Sequence, residues 1–451
     1  MITLPDRFEF LSDAWLSEAS SWFAQRRDRL GAPFAVSERM IDAPPHLRLP
    51  DNVANWTVRW DGTEVSVARG FDPTANAICE GDYQAALMAA QWVGLSVPGA
   101  IEAMLREVGT VFGPDAIRVG GTGGMPDATV DLMAAFHDHM GRRTVENPDL
   151  EHRARRLGIR DKIREMEEQG YTIIERAISD QFADEVRGAT LRALSAQGVT
   201  TLNWMTYHGR EFELLLQNPQ LMTLIDASLG RGAVIASISA IRRGPGPGFI
   251  PMHTDYAHVP EPYPEFSLTG VGVWALEDWT VESGPTWIVP GSHKHRRPPR
   301  DGEGHNAGVP VVMPKGSVVY FHHGVWHWQG DRSEAGERVT IHSHFNRGIL
   351  RSLEPKKLDV QMLHRNAPRL GEMLGEDDWF DKIDAHGRDY GRLAYMNRLH
   401  AFTEAKRREI LGQAQPPKGQ DLGALVSYSV HRHNRQLDGR GGVAGDEDPL
   451  R

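Results

Sequence analysis

Between Ala233 and Gly348 the sequence repeats one device: a short run of alternating side chains, then a turn rich in glycine and proline. Val234 to Ile241 alternates, and so do Gly270 to Ala275, Gly316 to Phe321 and Arg338 to Phe345. A period of two puts successive side chains on opposite faces of an extended chain. Several such strands, separated by turns, predict an antiparallel barrel or jelly roll. The full chain has 451 residues, too many for one ordinary domain, so a second domain is expected.

That second domain falls at residues 1–140, which read as a small α/β unit. Phe10, Leu11, Trp15, Leu16 and Trp22 recur at helical spacing, with Ser12 and Asp13 able to cap a start. Trp56, Val58 and Trp60 alternate, Val65 and Val67 follow, and Asp61-Gly62 between them is a hairpin turn signal. Residues 82–92 read as a helix. Gly120 to Gly124 lacks the Lys-Ser/Thr ending of a phosphate-binding loop and is taken as a plain loop. Residues 141–168 are dense in charge and predict a solvated helical linker. The barrel is expected over 169–350, a helical extension over 351–436, and a disordered tail rich in glycine and charge over 437–451. The expected class is α+β with two domains.

Composition narrows the partners. Hydrophobic residues at 40% and charged residues at 24% suit a soluble globular chain. A formal net charge of −10 offers no basic excess for nucleic acid, so a small molecule is the expected partner. The single cysteine, Cys79, cannot form an intramolecular disulfide and fits a reducing, cytoplasmic setting. The longest mildly apolar stretch, Tyr83 to Ala100, is interrupted by Gln84, Gln91, Gly94 and Pro98, so no transmembrane segment is expected.

The chemistry centres on His253-Thr254-Asp255. On an extended segment the histidine and the aspartate point to one side, so both can reach one metal. A second histidine from a distant strand would complete a two-His, one-carboxylate set, which leaves three open positions on Fe(II). The chain carries 20 histidines, so the tripeptide is weak by itself. Within Phe321-His322-His323-Gly324-Val325-Trp326-His327, three histidines compete for the distal role. Tyr256 and His258 follow the pair and are candidates for the pocket mouth. His342 and His344 stand at even offsets from Arg338, on one face of a predicted strand with Thr340, and His342 is a candidate substrate contact.

The surroundings are ordered. After the pair come Gly272-Val273-Trp274-Ala275-Leu276-Glu277-Asp278, then Glu282-Ser283-Gly284-Pro285, then Val289-Pro290-Gly291-Ser292-His293. His327 follows, with Arg338 eleven residues beyond it. From Gly170 to Gly348 the chain resembles the phytanoyl-CoA dioxygenase family, which shows these elements in this order. The resemblance implies a double-stranded β-helix, a jelly-roll barrel. It implies that His253, Asp255 and His327 hold Fe(II), and that Arg338 binds the distal carboxylate of the cosubstrate 2-oxoglutarate. It assigns Trp274 to the cosubstrate side and leaves Thr254 as a further cosubstrate contact. The implied reaction consumes O2, releases succinate and CO2, and hydroxylates an apolar or partly apolar small molecule. Two other readings stay open: a non-haem iron enzyme that does not use 2-oxoglutarate, and a catalytically inactive lipid carrier. The second arises because residues 7–110 resemble a sterol-carrier-protein-2-like domain, through Phe10 to Trp15, the Trp56 to Gly70 hairpin and Gly81 to Leu87.

Overall fold

The computed structural model describes residues 7–256, 258–352, 359–375, 383–384, 387–388 and 390–415. They divide into two compact units: the described residues through Asp149 with 359–371, and the remainder. No helix among the described residues is long and apolar enough to cross a membrane.

The first unit is built on a five-stranded sheet. Its strands are β1 (Phe34–Ile41), β2 (Ala54–Trp60), β3 (Val65–Ala68), β4 (Ala77–Asp82) and β5 (Ile117–Gly120), in the order β3-β2-β1-β4-β5. Only β1 and β4 run parallel. The β2–β3 turn is the expected one: Asp61 Oδ1 accepts from the amides of Thr63 and Glu64, and Gly62 takes φ +96°. Helices α1 (Asp13–Ala24), α2 (Tyr83–Ala90), α3 (Ala100–Phe112) and α4 (Asp127–Gly141) accompany the sheet. Ser12 and Asp82 cap α1 and α2 by accepting backbone amides. Trp56 and Val58 on β2 meet Trp15, Trp22 and Phe23 of α1 and Phe136 of α4 in one aromatic core. That core fills the space between helices and sheet.

The second unit holds the barrel. Its strands are β6 (Tyr171–Ile174), β7 (Thr201–Asn203), β8 (Val234–Arg243), β9 (Thr269–Ala275), β10 (Thr286–Ile288), β11 (Val309–Pro310), β12 (Val318–His322), β13 (His327–Gln329) and β14 (Arg338–Asn346). Six form an antiparallel sheet in the order β6-β12-β9-β14-β8-β7, and three form a smaller one, β11-β10-β13. Val271, Val273, Val319 and Phe321 of the large sheet pack with Ile288 and Val311 from the small sheet and its edge, so the two sheets face each other. This is the expected jelly-roll arrangement.

Register decides which side chains enter the barrel. Val273 lies opposite His342, Val271 opposite His344, and Ala275 opposite Thr340. Directly paired residues point the same way, so Arg338, Thr340, His342 and His344 share the inner face with the valines. On β8 a bulge between Ile235 and Ser237 shifts the register, after which Ser237, Ser239, Ile241 and Arg243 face inward. One wall of the interior is therefore apolar and the adjoining wall carries hydroxyls, imidazoles and guanidinium groups. Outside the barrel, Gly272 leaves room for helix α5 (Pro219–Leu229): a Cβ there would approach Leu221 to 3.2 Å.

The charged 141–168 segment departs from the expected solvated linker. Leu150–Arg156 and Arg160–Gln169 are helices packed into the second unit, and Arg153 is 2% exposed. Its guanidinium reaches Asp226 of α5 at 2.8 Å. Charge density reads as solvation only when no partner is in view, and Asp226 lies 73 residues away. Of the expected C-terminal extension, Tyr390–Leu411 is helical. The expected tail, 437–451, lies outside the described residues.

Candidate metal centre

The site is assembled by one strand pairing. His253 and His327 exchange both backbone hydrogen bonds, at 2.9 and 3.0 Å, as a directly opposed antiparallel pair. Their rings therefore rise on the same side, with centroids 4.3 Å apart. Asp255, two residues on, returns to that side, and its amide donates to the His323 carbonyl at 2.9 Å. One donor atom from each of His253, Asp255 and His327 falls within 4.8 Å of the others. His322 and His323, the competing candidates, are outside this cluster.

The donor chemistry fits a metal. His253 Nδ1 meets the Pro251 carbonyl at 2.8 Å and His327 Nδ1 meets the Val325 carbonyl at 3.0 Å. A carbonyl can only accept, so each Nδ1 carries the proton and each Nε2 keeps its lone pair for a metal. Both Nε2 atoms face Asp255, at 3.3 Å from Oδ1 for His253 and 3.7 Å from Oδ2 for His327. Burial alone would raise the Asp255 carboxyl, but the imidazoles of His323, His253 and His327 hold it well below the usual carboxylate range. Burial pushes His327 down, in part offset by Asp255. For His253 burial is outweighed by the nearby Asp255 carboxylate and the Pro251 carbonyl, and the ring is raised. The cluster is thus an anionic carboxylate between two imidazoles, which suits a divalent cation.

Arg338 sits on the inner face of β14, 6% exposed. Its Nη1 donates to the carbonyls of Gly284 and Ser283, and its guanidinium lies over the Trp279 ring at 4.9 Å. Among the described residues it makes no ion pair. Burial and the neighbouring Arg243 and Arg332, partly offset by the Glu277 carboxylate, push it down to about 10, so it stays charged at neutral pH. A buried guanidinium bonded only to carbonyls is a place for an anionic group from outside the chain.

Other expected residues fall elsewhere. Trp274 lies opposite Ile341 and Val318 and is fully buried on the outer face of the sheet, the face that carries Gly272 against α5. The inward position is its neighbour Val273, so Trp274 faces away from the barrel interior. Thr254, between the two candidate ligands, points away from them, and its hydroxyl lies 3.1 Å from the Tyr263 hydroxyl. Tyr256 uses its hydroxyl to accept from the amide of Leu268 at 2.7 Å and holds loop structure. Its ring, with Met252, His253 and Tyr263, lines a cleft of about 490 Å³. His258 is exposed on the turn that follows. His342 does face the interior, with Nε2 3.1 Å from the Thr340 hydroxyl. Sequence reasoning missed the serines of β8, whose inward direction depends on the bulge.

Residues 166–338 match the phytanoyl-CoA dioxygenase (PhyH) family. An uncharacterized protein of Mycobacterium tuberculosis is 23% identical over 216 residues, which covers 46% of this chain and 76% of that protein. A dioxygenase of Aspergillus fumigatus, af480, is 27% identical over 167 residues, 36% of this chain and 53% of that one. The peroxisomal phytanoyl-CoA dioxygenase of Bos taurus is 24% identical over 261 residues, covering 48% and 74%. Among solved structures, HygX from Streptomyces hygroscopicus with nickel and 2-oxoglutarate bound is similar, with a TM-score of 0.38 and 14% identity, over 43% of this chain and 89% of that one. The family match points to an Fe(II)/2-oxoglutarate-dependent oxygenase in general, with iron as cofactor and 2-oxoglutarate as cosubstrate.

Proposed function

We propose that this chain is an Fe(II)/2-oxoglutarate-dependent dioxygenase that hydroxylates a partly apolar small molecule and releases succinate and CO2. The observation that carries the reading is a pairing within one barrel: a His253–Asp255–His327 donor set with both Nε2 atoms free, and Arg338 buried without a carboxylate partner. His253, Asp255 and His327 would hold the iron, which when bound brings cosubstrate and O2 together for oxidative decarboxylation. Arg338 would take the distal carboxylate of 2-oxoglutarate through its planar fork. The Pro251 and Val325 carbonyls fix both imidazoles in the tautomer that ligation needs.

The interior supports a mixed substrate. Val271 and Val273 stand on the inner face beside His344 and His342, and Ser237 and Ser239 follow on the far side of β14, so an apolar wall adjoins a hydrogen-bonding one. A purely apolar molecule would leave that second wall without partners. The carrier-like reading of the N-terminal unit keeps the support of its hairpin and five-stranded sheet. The aromatic core between sheet and helices favours a scaffold over a ligand tunnel. The test is succinate formation by the purified protein with Fe(II) and 2-oxoglutarate, screened over apolar acids, their thioesters and polycyclic compounds. Loss of turnover in His253→Ala and Arg338→Ala is the expected result. Turnover that needs iron and not 2-oxoglutarate would overturn the assignment.

A further inference from the structure

The third histidine at the cluster has a different task from the two candidate ligands. His323 is 7% exposed, and its Nε2 is buried with no hydrogen-bond partner. That nitrogen faces Asp255 Oδ2 at 3.5 Å, closer than the 3.7 Å from His327 Nε2 to the same oxygen, while Asp255 Oδ1 is turned toward His253 at 3.3 Å. On the opposite edge of the ring, Nδ1 lies 2.6 Å from the Thr269 hydroxyl. Thr269 also accepts the His323 amide through its carbonyl, at 3.2 Å, so one residue grips both the backbone and the ring. The ring is wedged as well: His344 meets it edge-on at 5.6 Å and Tyr256 at 6.5 Å.

We propose that His323 is the positioning residue for the metal-binding carboxylate: it presents an Nε2 proton to Asp255 Oδ2 and leaves Oδ1 for the metal, with Thr269 fixing the tautomer. The inference rests on the iron site proposed above. A hydroxyl can give its hydrogen to Nδ1, and this puts the ring proton on Nε2. A carboxylate anchored at one oxygen is oriented before the metal arrives, and partners of this kind typically change metal affinity 10- to 100-fold when removed, an order-of-magnitude guide. The same carboxylate is anchored a second time through its own amide, which donates to the His323 carbonyl. Residue 323 therefore sets both the place and the rotation of Asp255. With its Nε2 proton turned to the carboxylate, this imidazole cannot also be a ligand through that atom, which agrees with its place outside the three-residue cluster.

The experiment is a titration of the metal-free 451-residue chain with Co(II), read by its visible absorption bands. Wild type is compared with His253→Ala, His323→Leu, His323→Gln, Thr269→Val and Thr269→Ser, each checked for folding by circular dichroism. Glutamine can place an N–H where Nε2 stands, and serine keeps the hydroxyl. His323→Leu is expected to weaken Co(II) binding roughly 10- to 100-fold. His323→Gln should stay within a few-fold of wild type with the same bands, Thr269→Val should be weakened, and Thr269→Ser should not. Binding by His323→Leu equal to wild type would overturn the proposal while leaving the metal site intact. So would His323→Gln that is as weak as His323→Leu or has altered bands, because His323 would then be a ligand. If wild type binds no Co(II), or His253→Ala binds as well as wild type, the metal reading itself fails and this proposal goes with it.

Discussion

Acid should destabilise the barrel through the histidines it buries. Burial, and after it the charges of neighbouring groups, push His322 and His342 down to about 3 and His344 down to about 4, from an ordinary value of 6.5. The folded barrel keeps these rings neutral where an unfolded chain would protonate them. Between the two values the unfolded state binds more protons, so stability falls as pH falls. The contribution is fully present above about pH 6.5 and is lost progressively toward about pH 4. Each histidine costs about 1.4 kcal/mol per pH unit inside that window. From about pH 7 to about pH 5 that is about 2 kcal/mol each and roughly 5–6 kcal/mol for the three. A domain's whole stability is on the order of 5–15 kcal/mol, so the effect is large enough to unfold the unit. His344→Gln removes one titrating ring. Urea unfolding followed by tryptophan fluorescence, repeated across this range, gives stability against pH for both proteins. The variant's slope should be shallower by about one proton, or about 1.4 kcal/mol per pH unit. Two parallel slopes would show that His344 is not held neutral by the fold and would refute the reasoning.

Three further outcomes follow from the same structure. Arg338→Ala should raise the half-saturating 2-oxoglutarate concentration roughly 100-fold, as expected for losing about 3 kcal/mol of charge-assisted hydrogen bonds, with Arg338→Lys intermediate; succinate formation against cosubstrate concentration measures both. Trp274→Phe, on the outer face, should cost about 1 kcal/mol of stability and leave that concentration unchanged; a large rise would return Trp274 to the cosubstrate side. Gly270→Ala should destabilise by about 1–3 kcal/mol in thermal melts, because its Cβ would come within 2.4 Å of the Tyr320 hydroxyl, and Tyr320→Phe in the same chain should restore part of the loss.

The parts legible in the sequence were those set by local pattern, and the illegible parts were set by pairing register. The alternation in β8, β9, β12 and β14, the cap Ser12, and the Asp61-Gly62 turn all depend on neighbours in sequence, and they lie where the pattern put them. The His253–Asp255 pair is local in the same sense, because two-residue spacing on an extended chain fixes a common side. Trp274 and Val273 show the limit. Strand β9 is apolar on both faces, so nothing in its composition says which parity enters the barrel, and a one-residue slip exchanges the faces. On β8 the bulge after Ile235 turns Ser237 and Ser239 inward and sends Ile238 and Ala240 outward, against any simple hydrophobic-in rule. The histidines around β12 are the hardest case. His322, His323 and His327 are alike in type and close in sequence, and their separate tasks come from what each Nδ1 meets. The Gly324 amide donates to His322 Nδ1, the Thr269 hydroxyl meets His323 Nδ1, and His327 Nδ1 donates to the Val325 carbonyl. Only the last of these leaves an Nε2 lone pair beside the carboxylate, and that difference separates the candidate ligand from its two neighbours.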